Sequence, residues 1–294
     1  MTNHATQLFA SMPRLLFAAV AMLLLSGCMQ VRSPAPFEPA SREYKLLIDP
    51  AWFDDSRLTA SIGQLDRLAA AAAQKSGVAY EGSLRKPVRT REVAFLDVPG
   101  KCTLRKNDLV LRLRSMDRKE SVTLKYRTGK TGLTDSRSPG AGIESALEVD
   151  ITPPHETVYS RSLSAKRGNN PLQNLGDLHA LFPVTETLRE VPDTRLAVVG
   201  KRPVHEEVRG KASLDLGSNG SMSLSLWYRT EGDTRPMIAE LSFKYATGAN
   251  GAADEVRARM LFDELRQLEG WLSPTAMTKT AFLYASSPGF CEQE

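Results

Sequence analysis

The chain has 294 residues, a formal net charge of +4 and a hydrophobic content of 41%. These values allow one large domain or two small ones, and so mild a positive charge gives no reason to expect a nucleic-acid partner. The sequence contains no Walker loop, no G-x-S-x-G and no H-E-x-x-H, and its four histidines are too scattered for a zinc site. Conventional catalytic motifs are therefore absent, and any basic site must be local.

The N-terminal region has the composition of an export signal. Arg14 precedes an apolar stretch from Leu15 to Leu25, which is followed by Ser26-Gly27-Cys28. A cationic start, a short apolar segment and small residues at a cut site are typical of secretory signals. The apolar stretch is shorter than the roughly 20 residues that a membrane-spanning helix needs. An ordinary secretory signal with an incidental cysteine is one interpretation.

The other interpretation is a lipid anchor, because Leu25-Ser26-Gly27-Cys28 resembles a bacterial lipobox. This resemblance implies that Cys28 is diacylated on its sulfur, becomes the mature N-terminus and attaches the protein to a lipid bilayer. Each buried acyl CH₂ contributes about 0.8 kcal/mol. Met29 and Gln30 follow the cysteine, where an aspartate would indicate inner-membrane retention, so we expect the outer membrane facing the periplasm. We predict a signal peptide over 1–27, a Pro-containing tether over 28–40 and one domain over 41–294.

The first half of this domain is predicted to begin with a strand over Glu43–Ile48 and an amphipathic helix from Asp54 to Lys75. Alternation then predicts four strands, over Glu92–Asp97, Asp108–Arg114, Ser121–Arg127 and Ser145–Ile151. Thr128 to Gly142 has the composition of a mobile loop, and residues 153–170 have an irregular pattern. Leucines spaced from Leu172 to Leu181 predict a short helix that ends before Pro183.

The second half repeats this arrangement. Four strands are predicted over Arg195–Arg202, Val208–Leu216, Ser221–Tyr228 and Met237–Tyr245, with a hairpin turn at Gly217–Gly220. An amphipathic helix is predicted to start near Asp254 and extend to Leu272. The order predicts an α+β fold, with an antiparallel barrel or sheet in two halves and flanking helices against its apolar surface.

The predicted strands each have an apolar face and an ionic face. Arg112 and Arg114 share one face of their strand, as do Lys125 and Arg127 on the next strand. Like charges on neighbouring strands repel each other. Solvent on the outer face of a sheet could screen them, or an anion or a row of carboxylates could neutralise them inside a barrel. Alternation alone does not distinguish the two arrangements.

A family resemblance favours the barrel. Arg91–Pro99, Leu111–Arg114 and Thr123-Leu124-Lys125 resemble motifs of the CYTH superfamily of triphosphate tunnel proteins. The likeness continues through the acidic strand around Glu148, and then through Lys201-Arg202, Leu214–Gly217 and Ile238–Leu241. It implies an antiparallel, eight-stranded, tunnel-like barrel. Its inward basic side chains hold a phosphate chain and its carboxylates hold Mg²⁺ or Mn²⁺.

The resemblance also implies two sets of site residues. The phosphate-binding set is Lys45, Arg112, Arg114, Lys125, Arg127 and Lys201. The metal-binding set is Glu43, Glu144, Glu148, Asp150 and Glu240. Two carboxylates of the family pattern are replaced by the hydroxyls of Ser41 and Ser242, which bind a hard cation more weakly. This selective loss indicates a binding barrel with weak or no catalysis, or a different ligand.

Two further cysteines, Cys102 and Cys291, could pair in an oxidising compartment or remain unrelated thiols. Three functions stay open: binding of a phosphate-rich anion or another envelope component, a structural or interaction role with the barrel as scaffold, and metal-dependent hydrolysis of (poly)phosphate. The periplasm lacks nucleotide triphosphates, so polyphosphate or the phosphates of surface lipids suit this location better.

Overall fold

The computed structural model describes residues 39–117, 119–128, 142–167, 172–248, 250–275 and 277–291, all within one unit of the chain. The predicted signal peptide, Cys28 and nearly all of the tether lie outside these residues. The same is true of the predicted loop Thr128–Gly142, apart from its two ends.

Eleven strands and five α-helices are present in the described residues. The strands are β1 (Ser41–Ile48), β2 (Tyr80–Glu81), β3 (Pro87–Asp97), β4 (Leu109–Met116), β5 (Lys119–Thr128), β6 (Glu144–Thr152), β7 (Glu156–Lys166), β8 (Ala197–Val198), β9 (Val204–Leu214), β10 (Ser218–Tyr228) and β11 (Ile238–Ala246). The helices are α1 (Leu58–Lys75), α2 (Thr103–Lys106), α3 (Leu175–Leu181), α4 (Gly251–Arg266) and α5 (Lys279–Ala285). None of these helices is both long and apolar enough to cross a membrane.

Nine of the strands close into a barrel within the described part of the chain. Their order is β9-β10-β11-β1-β6-β7-β5-β4-β3, and β3 pairs with β9 to complete the ring. The pair β1–β6 is parallel and the other ring pairs are antiparallel. The predicted α+β fold with a tunnel-like barrel and flanking helices is confirmed, with nine strands in place of eight.

Two segments differ from their predictions. β7 forms where an irregular segment was predicted, because its inward positions carry small serines (Ser160, Ser162, Ser164) that hide the alternation. The predicted strand Arg195–Arg202 was wrong, since the described residues there form only the two-residue strand β8 and one isolated bridge, between Arg195 and Asn174. Gly200 and Lys201 have φ values of 82° and 69°, which a strand does not tolerate.

The barrel is polar inside and apolar outside. Lys45 on β1 lines the interior, whereas its neighbours Tyr44 and Leu46 are buried outside, in the cluster that includes α1 and α4. A second outer cluster, which includes Leu111 of β4 and Leu175 of α3, covers the opposite side. This burial of apolar surface on the outside stabilises the barrel. The ionic faces of the strands therefore line a tunnel.

One end of the tunnel is covered by α5, which the sequence did not predict. Its Leu283 and Tyr284 pack with the inward-facing Phe95 and Trp227. Cys291 follows α5 and is disulfide-bonded to Cys102, with their Cα atoms 5.4 Å apart. The disulfide thus ties the C-terminal segment to the barrel beside this end.

Candidate functional site

A cavity of about 410 Å³ occupies the interior of the barrel. Among the described residues, nine basic and six acidic side chains line it, so its formal charge is +3. The basic residues are Lys45, Arg89, Arg91, Arg112, Arg114, Lys125, Arg127, Lys244 and Lys279, and the acidic ones are Glu43, Glu148, Asp150, Glu156, Glu206 and Glu240. Low-dielectric walls around an excess of positive charge favour the entry of an anion.

Asp150 of β6 is the centre of a first ionic network. Its Oδ1 accepts a hydrogen bond from Lys45 Nζ at 2.8 Å, and its Oδ2 accepts one from Lys125 Nζ at 2.9 Å. Lys45 Nζ also lies 3.1 Å from Glu43 Oε2. Burial acts to raise the pKa of Asp150, but the attraction of Lys45 and Lys125 outweighs it and holds this pKa well below its ordinary value. Asp150 is therefore ionised between two ammonium groups.

Glu148, two residues earlier on the same face of β6, extends this network. Its Oε1 contacts Lys244 Nζ, and its Oε2 lies 3.5 Å from Lys125 Nζ and accepts a hydrogen bond from Ser162 Oγ at 3.2 Å. Burial acts to raise the pKa of Glu148, but Lys125 and Lys244 outweigh it and lower this pKa. Glu148 and Asp150 thus form a row of carboxylates inside the barrel, which is one of the two arrangements that the sequence left open, and lysines neutralise it.

A second network connects the barrel to α5. Glu206 of β9 pairs with Arg91 and accepts a hydrogen bond from Trp227 Nε1 at 2.9 Å. Lys279 of α5 places its Nζ 2.9 Å from Glu240 Oε1 and 3.6 Å from Glu206 Oε1. Burial acts to raise the pKa of Glu206, but Lys279 and Arg91 outweigh it and hold this pKa well below its ordinary value. These contacts fix the covering helix to the tunnel wall.

Three guanidinium groups on β4 and β5 remain without such partners. The Nε–H groups of Arg112, Arg114 and Arg127 are buried and donate no hydrogen bond to any described residue. None of these side chains forms an ion pair with a described carboxylate. Burial lowers the pKa of Arg112 to about 10. Burial and the neighbouring Arg112 and Arg91 lower the pKa of Arg114. Arg112 therefore stays charged at neutral pH, and an anion beside these side chains would relieve the cost of burying its charge.

The structure brings together most of the predicted site. Of the phosphate-binding set, all members except Lys201 line the cavity, and of the metal-binding set, all except Glu144 do so. Lys201 is exposed in the turn that precedes β9, where its positive φ directs the chain away from a strand. Glu144 is exposed at the start of β6, beyond the cavity. The structure therefore does not bring these two residues into the cavity, and Cys28 lies outside the described residues.

The carboxylates do not fit the predicted Mg²⁺ or Mn²⁺ site. Both oxygens of Asp150 and both oxygens of Glu148 already face lysine ammonium groups. Glu240 is engaged by Lys279 in the same way. A divalent cation at these oxygens would lie against several ammonium groups, which repel it. No cluster of three or more metal-binding side chains occurs among the described residues.

Several lining residues were not predicted as site residues. Arg89 and Arg91 share the inward face of β3 with Phe95, so the alternation that revealed Arg112 also contained a signal for them. Glu206 lies on β9, two residues before the predicted start of that strand at Val208. Lys279 reaches the cavity from a helix at the end of the chain, and no local pattern indicates such a contact.

The fold and cavity define a class of protein: a tunnel-like β-barrel with a polycationic interior and an apolar exterior covered by helices. Lysines hold the carboxylates of the tunnel, and guanidinium groups, which suit bidentate contacts to phosphate oxygens, remain available. Chemically, this arrangement can bind an anion that carries several charges along its length.

No known family profile and no curated protein matches this chain. Among solved structures, it is similar to a candidate adenylyl cyclase from Hippeastrum with a dominant triphosphatase activity, at 11% identity and a TM-score of 0.43, covering 83% of this chain and 95% of that one. It is also similar to a candidate adenylate cyclase from Bacillus halodurans, at 15% identity and a TM-score of 0.38, covering 83% and 98%. We draw no functional conclusion from likenesses this distant.

Proposed function

We propose that the tunnel binds a phosphate-rich anion, such as a linear oligophosphate, without a divalent cation and with weak or no catalysis. The observation that carries this proposal is the group of Arg112, Arg114 and Arg127, whose Nε atoms are buried without partners in a cavity of formal charge +3. Burying charge without a counter-ion is costly. A scaffold that binds nothing gains no benefit from bearing that cost.

The state of the carboxylates favours binding over hydrolysis. Asp150, Glu148 and Glu206 have pKa values held below their ordinary range, so each is a weak proton acceptor at neutral pH. Their oxygens are also occupied by lysines or Arg91. Metal-dependent (poly)phosphate hydrolysis would require these ion pairs to open.

We also propose that a lipid anchor attaches this protein to the outer membrane, where it faces the periplasm. Its support is Leu25-Ser26-Gly27-Cys28, followed by Met29 and Gln30. Labelling with a fatty-acid analogue tests it: the wild-type protein should incorporate label and fractionate with the outer membrane. A Cys28→Ser variant that is labelled equally would contradict it.

Thermal unfolding tests the binding proposal directly. The full-length protein, purified in detergent, is melted with and without tripolyphosphate, in each case with Mg²⁺ or with EDTA. A ligand at 100 times its Kd adds about 2.7 kcal/mol, or about 5–10 °C for a domain of this size. We expect tripolyphosphate to raise Tm by this amount when EDTA is present, and we expect Arg112→Ala to abolish the increase. The matched control is Arg229→Ala, since Arg229 is exposed outside the cavity.

The alternatives predict different results. No shift under any condition, with a folded protein, would support the scaffold. A shift that requires Mg²⁺, together with phosphate release that is lost in Glu148→Gln, would support a metal-dependent hydrolase. Either result would overturn the proposed function.

A further inference from the structure

A second chamber, of about 350 Å³, lies beside the tunnel at the end covered by α5. Its walls are the end of β1, the turn between β6 and β7, and residues 272–275 and 277–281 around the start of α5. Five residues line both spaces: Lys45, Thr152, Glu156, Glu240 and Thr278. The chamber and the tunnel are therefore adjacent parts of one binding region.

The two spaces differ in chemistry. The tunnel is dominated by charged side chains, whereas the remaining chamber walls include Leu47, Pro153, Leu272, Met277 and Ala281. None of the described residues that line the chamber is aromatic. Aliphatic walls without a ring for stacking favour an aliphatic group over a nucleobase.

The chamber wall is held in place by the backbone. Ser273 N–H donates a hydrogen bond to the Leu47 carbonyl at 2.9 Å, and Leu272 pairs with Ile48. This pairing fixes the segment after α4 along the edge of β1, so the apolar wall is preformed. A preformed apolar wall reduces the ordering cost of binding an apolar group.

We propose that the ligand is a phosphate ester of an aliphatic alcohol, with its phosphate in the tunnel and its aliphatic group in the chamber. This inference rests on the proposed function and names the class of ligand that the same site would bind. The charged and apolar regions meet at Lys45, so a single amphiphilic molecule can occupy both. Alkyl or isoprenoid phosphates have this chemistry.

A homologous series of monoalkyl phosphates, from methyl to octyl and each below its micelle concentration, tests the inference by calorimetric titration of the full-length protein. Tripolyphosphate serves as the ligand for the tunnel alone. Each methylene that enters the chamber should tighten binding about fourfold, until the chamber is filled. Longer chains should then add nothing.

Two chamber variants make the test specific. Met277→Gln replaces an apolar wall by a neutral amide of similar length, and Ala281→Phe fills part of the space. Both should reduce the gain per methylene and leave tripolyphosphate affinity within about twofold. Met260→Gln is the matched control, because Met260 is exposed on α4 and lines neither cavity.

The outcomes separate the two proposals. If tripolyphosphate binds but chain length has no effect, the chamber inference is wrong and the proposed function stands. The inference is also wrong if the gain per methylene is unchanged in both chamber variants, because the chain then binds elsewhere. If neither tripolyphosphate nor any alkyl phosphate binds, both proposals fail.

Discussion

Replacing Arg112 by methionine should stabilise the protein without ligand while it abolishes anion binding. Burial lowers the pKa of Arg112 to about 10 from its ordinary value of 12.5, and its Nε is buried without a partner. Each pKa unit corresponds to about 1.4 kcal/mol, so the charged side chain costs the folded state on the order of 3 kcal/mol. Arg112 keeps some exposure to the cavity, and water there offsets part of this cost. We expect a net gain of about 1–2 kcal/mol, since methionine also fills most of the volume.

The assay is thermal and urea unfolding of the two proteins, with and without tripolyphosphate. The gain should raise Tm by about 2–8 °C, because 1 kcal/mol corresponds to about 2–4 °C in a domain of this size. The shift caused by tripolyphosphate should disappear at the same time. Arg229→Met, at an exposed position, should change the free energy of unfolding by less than about 0.5 kcal/mol.

Two results would refute this reasoning. If Arg112→Met lowers Tm without ligand, the guanidinium group is stabilised by its surroundings, and the tunnel has no unmet need for an anion. If the variant keeps the full tripolyphosphate shift, the ligand lies elsewhere. A gain in stability with a loss of binding is the pattern expected of a residue retained for function.

Three further predictions concern stability. The pKa values of Asp150 and Glu206 are lowered in the folded state, so both carboxylates stabilise the fold fully above their unfolded pKa values of about 4. This stabilisation is lost as the pH falls below about 4. The free energy of unfolding in urea should therefore decrease between pH 6 and pH 3, and a flat profile would contradict the prediction. Asp150→Asn leaves two lysines facing each other and should cost about 3–5 kcal/mol in the same assay, whereas a cost below 1 kcal/mol would show that the network relaxes freely. Cys291→Ser removes a disulfide between residues 189 positions apart and should lower the free energy of unfolding by up to about 5 kcal/mol. A reductant should destabilise the wild-type protein by the same amount and leave the variant unchanged. Equal effects of the reductant on the two proteins would contradict this prediction.

The strands that the sequence predicted best are those with strict alternation. β4 and β5 have a branched or large apolar residue at every second position and cations between them, so both their extent and their shared faces were predictable. Which face was inside was not predictable, because alternation is the same for a sheet turned inward or outward. That choice depends on α1 and α4, which cover the apolar side from distant parts of the chain.

The candidate site was predictable only where its residues lie on such strands. Arg112 and Lys125 were found because they alternate with apolar neighbours, whereas Lys45 was added by the family resemblance. Lys279 was missed because its place in the tunnel depends on the packing of α5 across one end, which no local pattern encodes. The lysine pairing of Asp150 was missed for a related reason: the register between β1 and β6, in a parallel pair, decides which lysine meets which carboxylate.

Ser41 and Ser242, which stand where the sequence resemblance leads us to expect carboxylates, offer a final test of why this tunnel suits metal-free binding. Ser242 is buried on β11 between the inward Glu240 and Lys244, and it pairs with Lys45 of β1. Carboxylates at both Ser41 and Ser242 would add two negative charges on the faces of β1 and β11 that carry Lys45 and Lys244, next to a lining with a formal charge of +3. The serines therefore leave the tunnel with the excess charge that an anion needs.

Ser242→Glu should weaken tripolyphosphate binding in EDTA. A unit charge about 8 Å from a phosphate contributes about 2 kcal/mol at an effective dielectric constant near 20, so the affinity should fall roughly thirtyfold. Ser242→Gln is the control, because glutamine has the size of glutamate without its charge. The affinity of this variant for tripolyphosphate should fall much less. If Mg²⁺ restores the affinity of Ser242→Glu alone, the serine is what makes this barrel independent of metal. Equal losses in the two variants would instead mean that bulk, and not charge, decides binding at this position.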